Sequence, residues 1–245
     1  MPVELEYLGT VALLTIDQPE TRNALTGSTA VEIAGLLRSV AEDSNIGALV
    51  VRGGRGTFCS GGDRQLIERA RVDSSAPGVA DQFGAIYQVF DLLTEMPIPT
   101  IAAIRGAAVG AGVNLALAAD VRVVADNARF IAGFLRIGVH PGGGHLLMSH
   151  RVAGRQATVA MSLLREEATG SQLKELGIAW ASVPDQEVEP VAIALAHRAD
   201  DPELVRRAMA TYREETSSPG ISVAEASRLE QIAQFWSFGR PPTRR

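Results

Sequence analysis

Thr100-Ile101-Ala102-Ala103-Ile104 is a short apolar run with β-branched residues, followed by Arg105 and then Gly106-Ala107-Ala108-Val109-Gly110-Ala111-Gly112. A small-residue stretch continues to Ala119, and Asp120 to Ala125 is apolar again. This order reads as buried strand, glycine-rich turn, helix, strand. Ala48 to Val51 is a second short buried strand, closed by Gly53-Gly54-Arg55-Gly56. It leads into Phe58-Cys59-Ser60-Gly61-Gly62-Asp63, another glycine turn, with a helix starting near Asp63. Strand and helix therefore alternate over roughly residues 46 to 125, the pattern of right-handed βαβ units.

Upstream, Val3 to Tyr7 and Val11 to Ile16 read as two strands around a turn at Gly9. Thr26 to Glu42 has apolar residues at helical spacing, at Ala30, Ile33, Ala34, Leu37 and Ala41. Arg71 to Val79 is polar, contains Pro77 and reads as a mobile loop, and Gln82 to Glu95 reads as a helix. Beyond Pro141 the chain is mostly helical. The expected segments are Gln156 to Leu164, Ser171 to Leu176, Val188 to His197, Pro202 to Glu215 and Val223 to Phe235. Ala179 to Val183 is a last short strand, and Arg240 to Arg245 is a polar tail expected to fray. The division expected is a core over 1–185 and a helical region over 186–245.

The 245 residues suit one α/β core with a helical appendage, and 46% apolar residues suffice to fill it. Net charge is −5 with no long basic run, which argues against nucleic acid. The single cysteine, Cys59, excludes an internal disulfide and fits a reducing cytoplasm. Residues 1–14 lack the layout of a signal peptide. No apolar run reaches the roughly 18 residues of a membrane span.

Other chemistries are set aside by spacing. His140, His145 and His150 recur every five residues, which on a helix turns them away from one another, so no metal site is expected. No Gly-x-Ser-x-Gly elbow is present. Gly110-Ala111-Gly112 lacks the third glycine of a dinucleotide fingerprint, and no Walker lysine follows it. Cys59, inside the first glycine turn, reads as a packing residue. The two glycine turns remain. Each lies after a strand and before a helix, where backbone N–H groups have no internal partner and the helix dipole adds positive charge. A pair of such donors stabilises a developing oxyanion. Glycines that only permit tight turns are the simpler alternative.

Five segments in order resemble the enoyl-CoA hydratase/isomerase (crotonase) family. They are Pro19 with Arg22-Asn23-Ala24-Leu25, Phe58 to Asp63, Ile104 to Asp120, Gly138-Val139-His140-Pro141-Gly142-Gly143-Gly144, and Ala168 to Val183. The resemblance implies a crotonase-like α/β spiral of ββα units with a C-terminal helical trimerisation region. It implies an acyl-CoA ligand, coenzyme A being part of the substrate with no other cofactor, and a homotrimer or hexamer. It places the oxyanion donors on the N–H groups of Gly62 and Ala111. It places Ser60, Asp63, Arg64 and Gln65 along the adenine and pantetheine channel, and Arg22 and Ala24 at its entrance. Arg240 resembles a basic residue that approaches the coenzyme A of an adjacent subunit, and Phe235, Trp236 and Phe238 fall at an interface or pocket lid.

The departures are as informative. Hydratases of the family carry two glutamates, and the matching positions here are Asn114 and Phe134. Dienoyl isomerases place an acid at the position of Gly142. Asn114 has no proton to exchange at neutral pH, and Phe134 has none at all. His140, in the expected acyl wall, is the substitute acid–base group, with His145 after it. The expectation is an acyl-CoA thioester enzyme, lyase or isomerase, that is not a standard hydratase. The alternatives are a catalytically inactive acyl-CoA-binding protein and a thioester hydrolase.

Overall fold

The computed structural model describes residues 2–217 and 220–240. Strands β1 (Val3–Leu8) and β2 (Val11–Ile16) form an antiparallel hairpin. Helix α1 (Gly27–Glu42) follows, capped by Thr26, whose hydroxyl accepts the Thr29 N–H at 3.0 Å. Next come β3 (Ala48–Gly53), α2 (Arg64–Val72), α3 (Val79–Thr94), β4 (Thr100–Ile104), β5 (Ala107–Val109), α4 (Ala111–Ala118), β6 (Val121–Ala125) and β7 (Arg129–Ile131). The chain continues through α5 (His145–Thr158), β8 (Ala168–Thr169), α6 (Gly170–Glu175), β9 (Ala181–Val183), α7 (Val188–Ala196), α8 (Pro202–Ser217) and α9 (Val223–Phe238).

Two sheets share these strands. The larger has the order β1-β2-β3-β4-β6-β9, parallel from β2 onward, and the smaller is β5-β7-β8. From β4 to β7 the strands alternate between them: β4 lies in the large sheet and β5 in the small one, α4 returns the chain, then β6 and β7 repeat the step. That repeat is the ββα spiral expected from the resemblance. β2 and β4 are buried at every position, as parallel strands covered on both faces must be.

The structure differs from the sequence reading in four places. The stretch Gly106 to Gly112 is more than a turn, because Ala107–Val109 pairs with Arg129–Ile131. Helix α5 begins at His145, eleven residues before the expected Gln156. Gly154, at φ 70° and ψ 177°, breaks it internally, so apolar periodicity was legible only beyond that break. The segment after α5, Val159–Leu163, is a π-turn, which apolar periodicity does not register. Between α2 and α3 only residues 73–78 lie outside helices, a shorter connection than the expected 71–79.

Helix α7 packs on β3, β4 and β6, while α8 buries Met209, packs Val205 against the core and is tied to α1 by Arg206. Arg206 donates to the carbonyls of Val40, Ala41, Asp43 and Ile46, closing the C-terminal end of α1. Helix α9 has no buried residue, and Ile232, Phe235 and Phe238 on it are exposed. Of the tail, Arg240 is described and 241–245 lie outside the described residues.

Candidate active site

The first glycine turn is held from both sides. Asn23 is buried at a left-handed φ of 61°; its amide donates to the carbonyls of Gly54 (3.1 Å) and Thr57 (2.6 Å) and its Oδ1 accepts the Gln18 N–H (2.7 Å). This clamps residues 18–25 against the turn. Leu25 N–H donates to the Gly61 carbonyl at 2.7 Å, and Asp63 N–H donates to the Leu25 carbonyl at 3.0 Å. On the other side, Cys59 N–H donates to the Ala107 carbonyl (3.1 Å) and Val109 N–H to the Cys59 carbonyl (3.0 Å). The two glycine turns are therefore hydrogen-bonded neighbours.

Their contact tolerates no side chain. A Cβ on Gly112 would lie 2.3 Å from the Cys59 carbonyl oxygen, and one on Gly61 would lie 2.8 Å from that of Val109. Cys59, sealed between them, has its thiol pushed up to about 12 by burial. It is a packing residue, as expected. Gly62 and Ala111 face one cleft of about 830 Å³. Among the described residues, neither N–H donates to any acceptor. Ala111 is also the first residue of α4, where the dipole favours negative charge. Two unpaired backbone donors in one cleft suit a developing oxyanion.

The facing wall is different. Asn114, 1% exposed, donates through Nδ2 to the carbonyls of Gly142 (2.8 Å) and Gly143 (3.4 Å). Because carbonyls only accept, this fixes the amide orientation, and Asn114 Oδ1 faces His145 Nδ1 at 2.8 Å. His145 therefore carries its proton on Nδ1, and its Nε2 accepts from the Ser162 hydroxyl at 2.9 Å. The ring is 2% exposed, and burial lowers its pKa to about 4. The phenyl ring of Phe134 lies 4.9 Å from the His145 ring, between it and Gly110. A π-turn supplies Ser162, so the Asn114–His145–Ser162 chain joins α4, α5 and the segment after it.

His140 also lines the cleft, with Nδ1 donating to its neighbour's Pro141 carbonyl at 2.7 Å. That leaves Nε2 unengaged among the described residues. His145 does not reach the cleft; Asn114 and Phe134 stand between. Ser60 and Arg64 line the cleft, Ser60 donating its hydroxyl to the Thr21 carbonyl at 2.7 Å. Asp63 is the N-cap of α2, accepting the N–H groups of Gln65 (3.1 Å) and Leu66 (3.2 Å), which is the structural alternative for that acid. Asp63, Gln65, Arg22 and Ala24 do not line the cleft, and Ala24 is buried. Arg240 is engaged in its own chain: its guanidinium donates to Asp201 (2.7 and 2.9 Å) and Glu203 (3.0 Å), and lies 4.8 Å from the Trp236 ring.

Sequence reasoning missed Tyr87 and Phe83 of α3, which line the cleft opposite the turns. Their spacing on one helical face was the available signal. It also missed buried Arg122, which donates to the carbonyls of Ala116 (3.3 Å), Ala119 (2.6 Å), Asp120 (3.1 Å) and Ile178 (2.6 Å) and so closes the far end of α4. Among the described residues no group of three His, Cys, Asp or Glu could hold a metal ion. No helix among them is long and apolar enough to cross a membrane.

Known proteins give this geometry its context. A probable enoyl-CoA hydratase of Mycobacterium tuberculosis is 35% identical over 98% of this chain and 93% of its own length. The 1,2-epoxyphenylacetyl-CoA isomerase of Escherichia coli is 32% identical over 78% of this chain and 74% of its own. Among solved structures, a putative enoyl-CoA hydratase of Streptomyces coelicolor superposes with a TM-score of 0.85 at 28% identity, covering 100% of this chain and 94% of that one. Another from Thermobifida fusca, solved in complex with CoA, gives 0.83 at 26% identity over 97% and 93%. The enoyl-CoA hydratase/isomerase family profile matches residues 6–234, and the chain belongs to that family.

Proposed function

We propose that the chain binds an acyl-CoA thioester with the thioester oxygen between the Gly62 and Ala111 N–H groups, and acts on it through an enolate without serving as a standard hydratase. The observation that carries this reading is the contrast inside one cleft. Two backbone donors are unspent on one side, while on the other the amide of Asn114 is spent on Gly142, Gly143 and His145. Hydration needs a group to activate water and another to protonate the α-carbon, each typically worth 10²–10⁴-fold. Asn114 holds its wall in place, with its amide N–H groups spent on two carbonyls, and it has no proton to exchange at neutral pH. Phe134 offers only a ring.

Ser60 and Arg64 line the side where the pantetheine would run; Asp63 and Gln65 follow at the start of α2 on the expected channel side, and Arg22 and Ala24 precede the first turn on the expected entrance side. Coenzyme A enters as part of the substrate. The exposed apolar residues of α9 suit a homotrimer or hexamer. The commitment of Asn114 also favours a second reading, an acyl-CoA-binding protein without catalysis. Calorimetry with a panel of acyl-CoAs tests the shared claim: binding in the micromolar range is expected, and no binding below millimolar would overturn it.

A further inference from the structure

We propose that Tyr87 is the proton-transferring residue of this cleft, delivering a proton to the α-carbon of a thioester enolate; this rests on the acyl-CoA reading above. Tyr87 stands on α3 and lines the cleft that Gly62 and Ala111 also line; the residue is 37% exposed and its hydroxyl has no hydrogen-bond partner among the described residues. Its position is built. The ring is flanked on the same helix by Phe83 at 6.2 Å and Phe90 at 6.4 Å, both tilted against it. Beneath it lies the Gly142–Gly143 pair. A Cβ on Gly142 would sit 2.4 Å from the Tyr87 hydroxyl oxygen, and one on Gly143 would sit 2.8 Å from the ring. Gly142 is not among the positive-φ glycines, so a side chain there would meet the phenol and not a backbone penalty, and the phenol would have to move. Gly142 is also the residue whose carbonyl Asn114 holds. The wall is thus shaped and fastened around a hydroxyl that points at the cleft.

Other charged and titratable groups share this space: Arg64, Glu68 and Arg71 on α2, Arg136 on the turn after β7, and His140 in the following loop. Glu68 is paired with Arg71 at 3.4 Å. Burial raises the phenol above its ordinary range, which keeps it a donor at neutral pH. In the step itself the phenol O–H bond breaks. Its proton forms the new Cα–H bond with the electron pair of the enolate, the thioester C=O re-forms, and the phenolate left behind takes a proton from solvent. Run backwards, the same phenolate removes the α-proton, so a saturated acyl-CoA should exchange its α-hydrogens with solvent.

The test follows that exchange by NMR for butyryl-CoA and octanoyl-CoA in deuterated buffer, with calorimetry in parallel. Wild-type protein is expected to exchange the α-position, and Tyr87→Phe to lose roughly 100-fold in rate, with affinity changed by less than about threefold, the signature of a group that acts on the reacting carbon and not on binding. Gly142→Ala is expected to displace the phenol and lose exchange to a similar degree. In the Tyr87→Phe background the same alanine should cost nothing further, since the oxygen it would strike is gone. Exchange that survives in Tyr87→Phe overturns the proposal, as does wild-type protein that binds both thioesters and exchanges neither. Failure of wild-type protein to bind either thioester overturns the acyl-CoA reading itself, and is recognised by calorimetry before any exchange is measured.

Discussion

The two faces of the cleft are built by opposite means. The glycine-turn face presents backbone: Gly62 and Ala111 offer N–H groups that nothing else claims, on turns locked by Asn23 and by the Cys59 to Val109 pairing. The facing wall presents side chains, and those of Asn114, His145 and Ser162 spend their polar atoms on one another and on the Gly142 and Gly143 carbonyls, leaving the Tyr87 hydroxyl and His140 Nε2 as its unpaired groups among the described residues. Backbone donors keep their position whatever the side chains do. Proton-transfer groups are side chains and vanish by substitution. A family member can therefore keep its means of polarising a thioester while losing the acids that hydration requires.

The sharpest way to break the contrast is to remove a backbone donor. Ala111→Pro deletes the N–H at the first position of α4, a position where proline suits a helix. Loss of one such donor is expected to slow α-hydrogen exchange of bound acyl-CoA about 100-fold, about 3 kcal/mol in the barrier, with a thermal midpoint close to wild type. Unchanged exchange would mean that the N–H groups are idle.

On the facing wall the expected effect is on stability. Asn114→Ala leaves the His145 Nδ1–H buried without a partner and the Gly142 carbonyl with only the His145 backbone N–H at 3.4 Å, at a cost of about 2 kcal/mol measured by denaturant unfolding. Asn114→Asp keeps the acceptor for His145 and adds a charge, so the imidazole pKa should rise from about 4, as read by NMR titration. A variant Asn114→Ala as stable as wild type would show that the wall is not fastened this way.

The same wall predicts a pH dependence. His145 titrates at about 4 in the folded protein and near its ordinary 6.5 when unfolded. Between these values the unfolded chain binds the extra proton, so stability is full above pH 6.5 and falls as pH drops toward 4. The loss attributable to this group is on the order of 3 kcal/mol. Comparing unfolding at neutral and acid pH in wild type and in His145→Gln checks it: the slope should flatten in the variant. Smallest of all should be Arg240→Ala, outside both faces, which gives up solvent-screened ion pairs and a ring contact and should leave the thermal midpoint nearly unchanged.

What the sequence disclosed follows the same division. The glycine turns were legible because backbone geometry at Gly61, Gly106 and Gly112 admits no side chain, and that demand is written in residue type. Strand β4 was legible to the residue, since an apolar run bounded by Pro99 and Arg105 has only one reading. The absent acids at Asn114 and Phe134 could be read, but their new roles could not. His145 was read at the start of a helix, as it is, but that it meets Asn114 depends on how α4 packs against α5, and that Ser162 completes the chain depends on a π-turn, neither of which periodicity registers. Tyr87 escaped because its partner, Gly142, lies 55 positions away and announces itself only through the space it leaves. Arg240 was read toward a neighbouring subunit, and the ion pairs with Asp201 and Glu203 that hold it at home join residues too distant in sequence to be seen as a pair.

The most direct test of the central contrast is to give the protein crotonyl-CoA and follow the enoyl-thioester absorbance, with calorimetry on the same preparation. The account predicts that the thioester binds and its absorbance persists, because the donors at Gly62 and Ala111 are in place and neither Asn114 nor Phe134 can move a proton. Loss of the absorbance at the rate of an ordinary hydratase would contradict it.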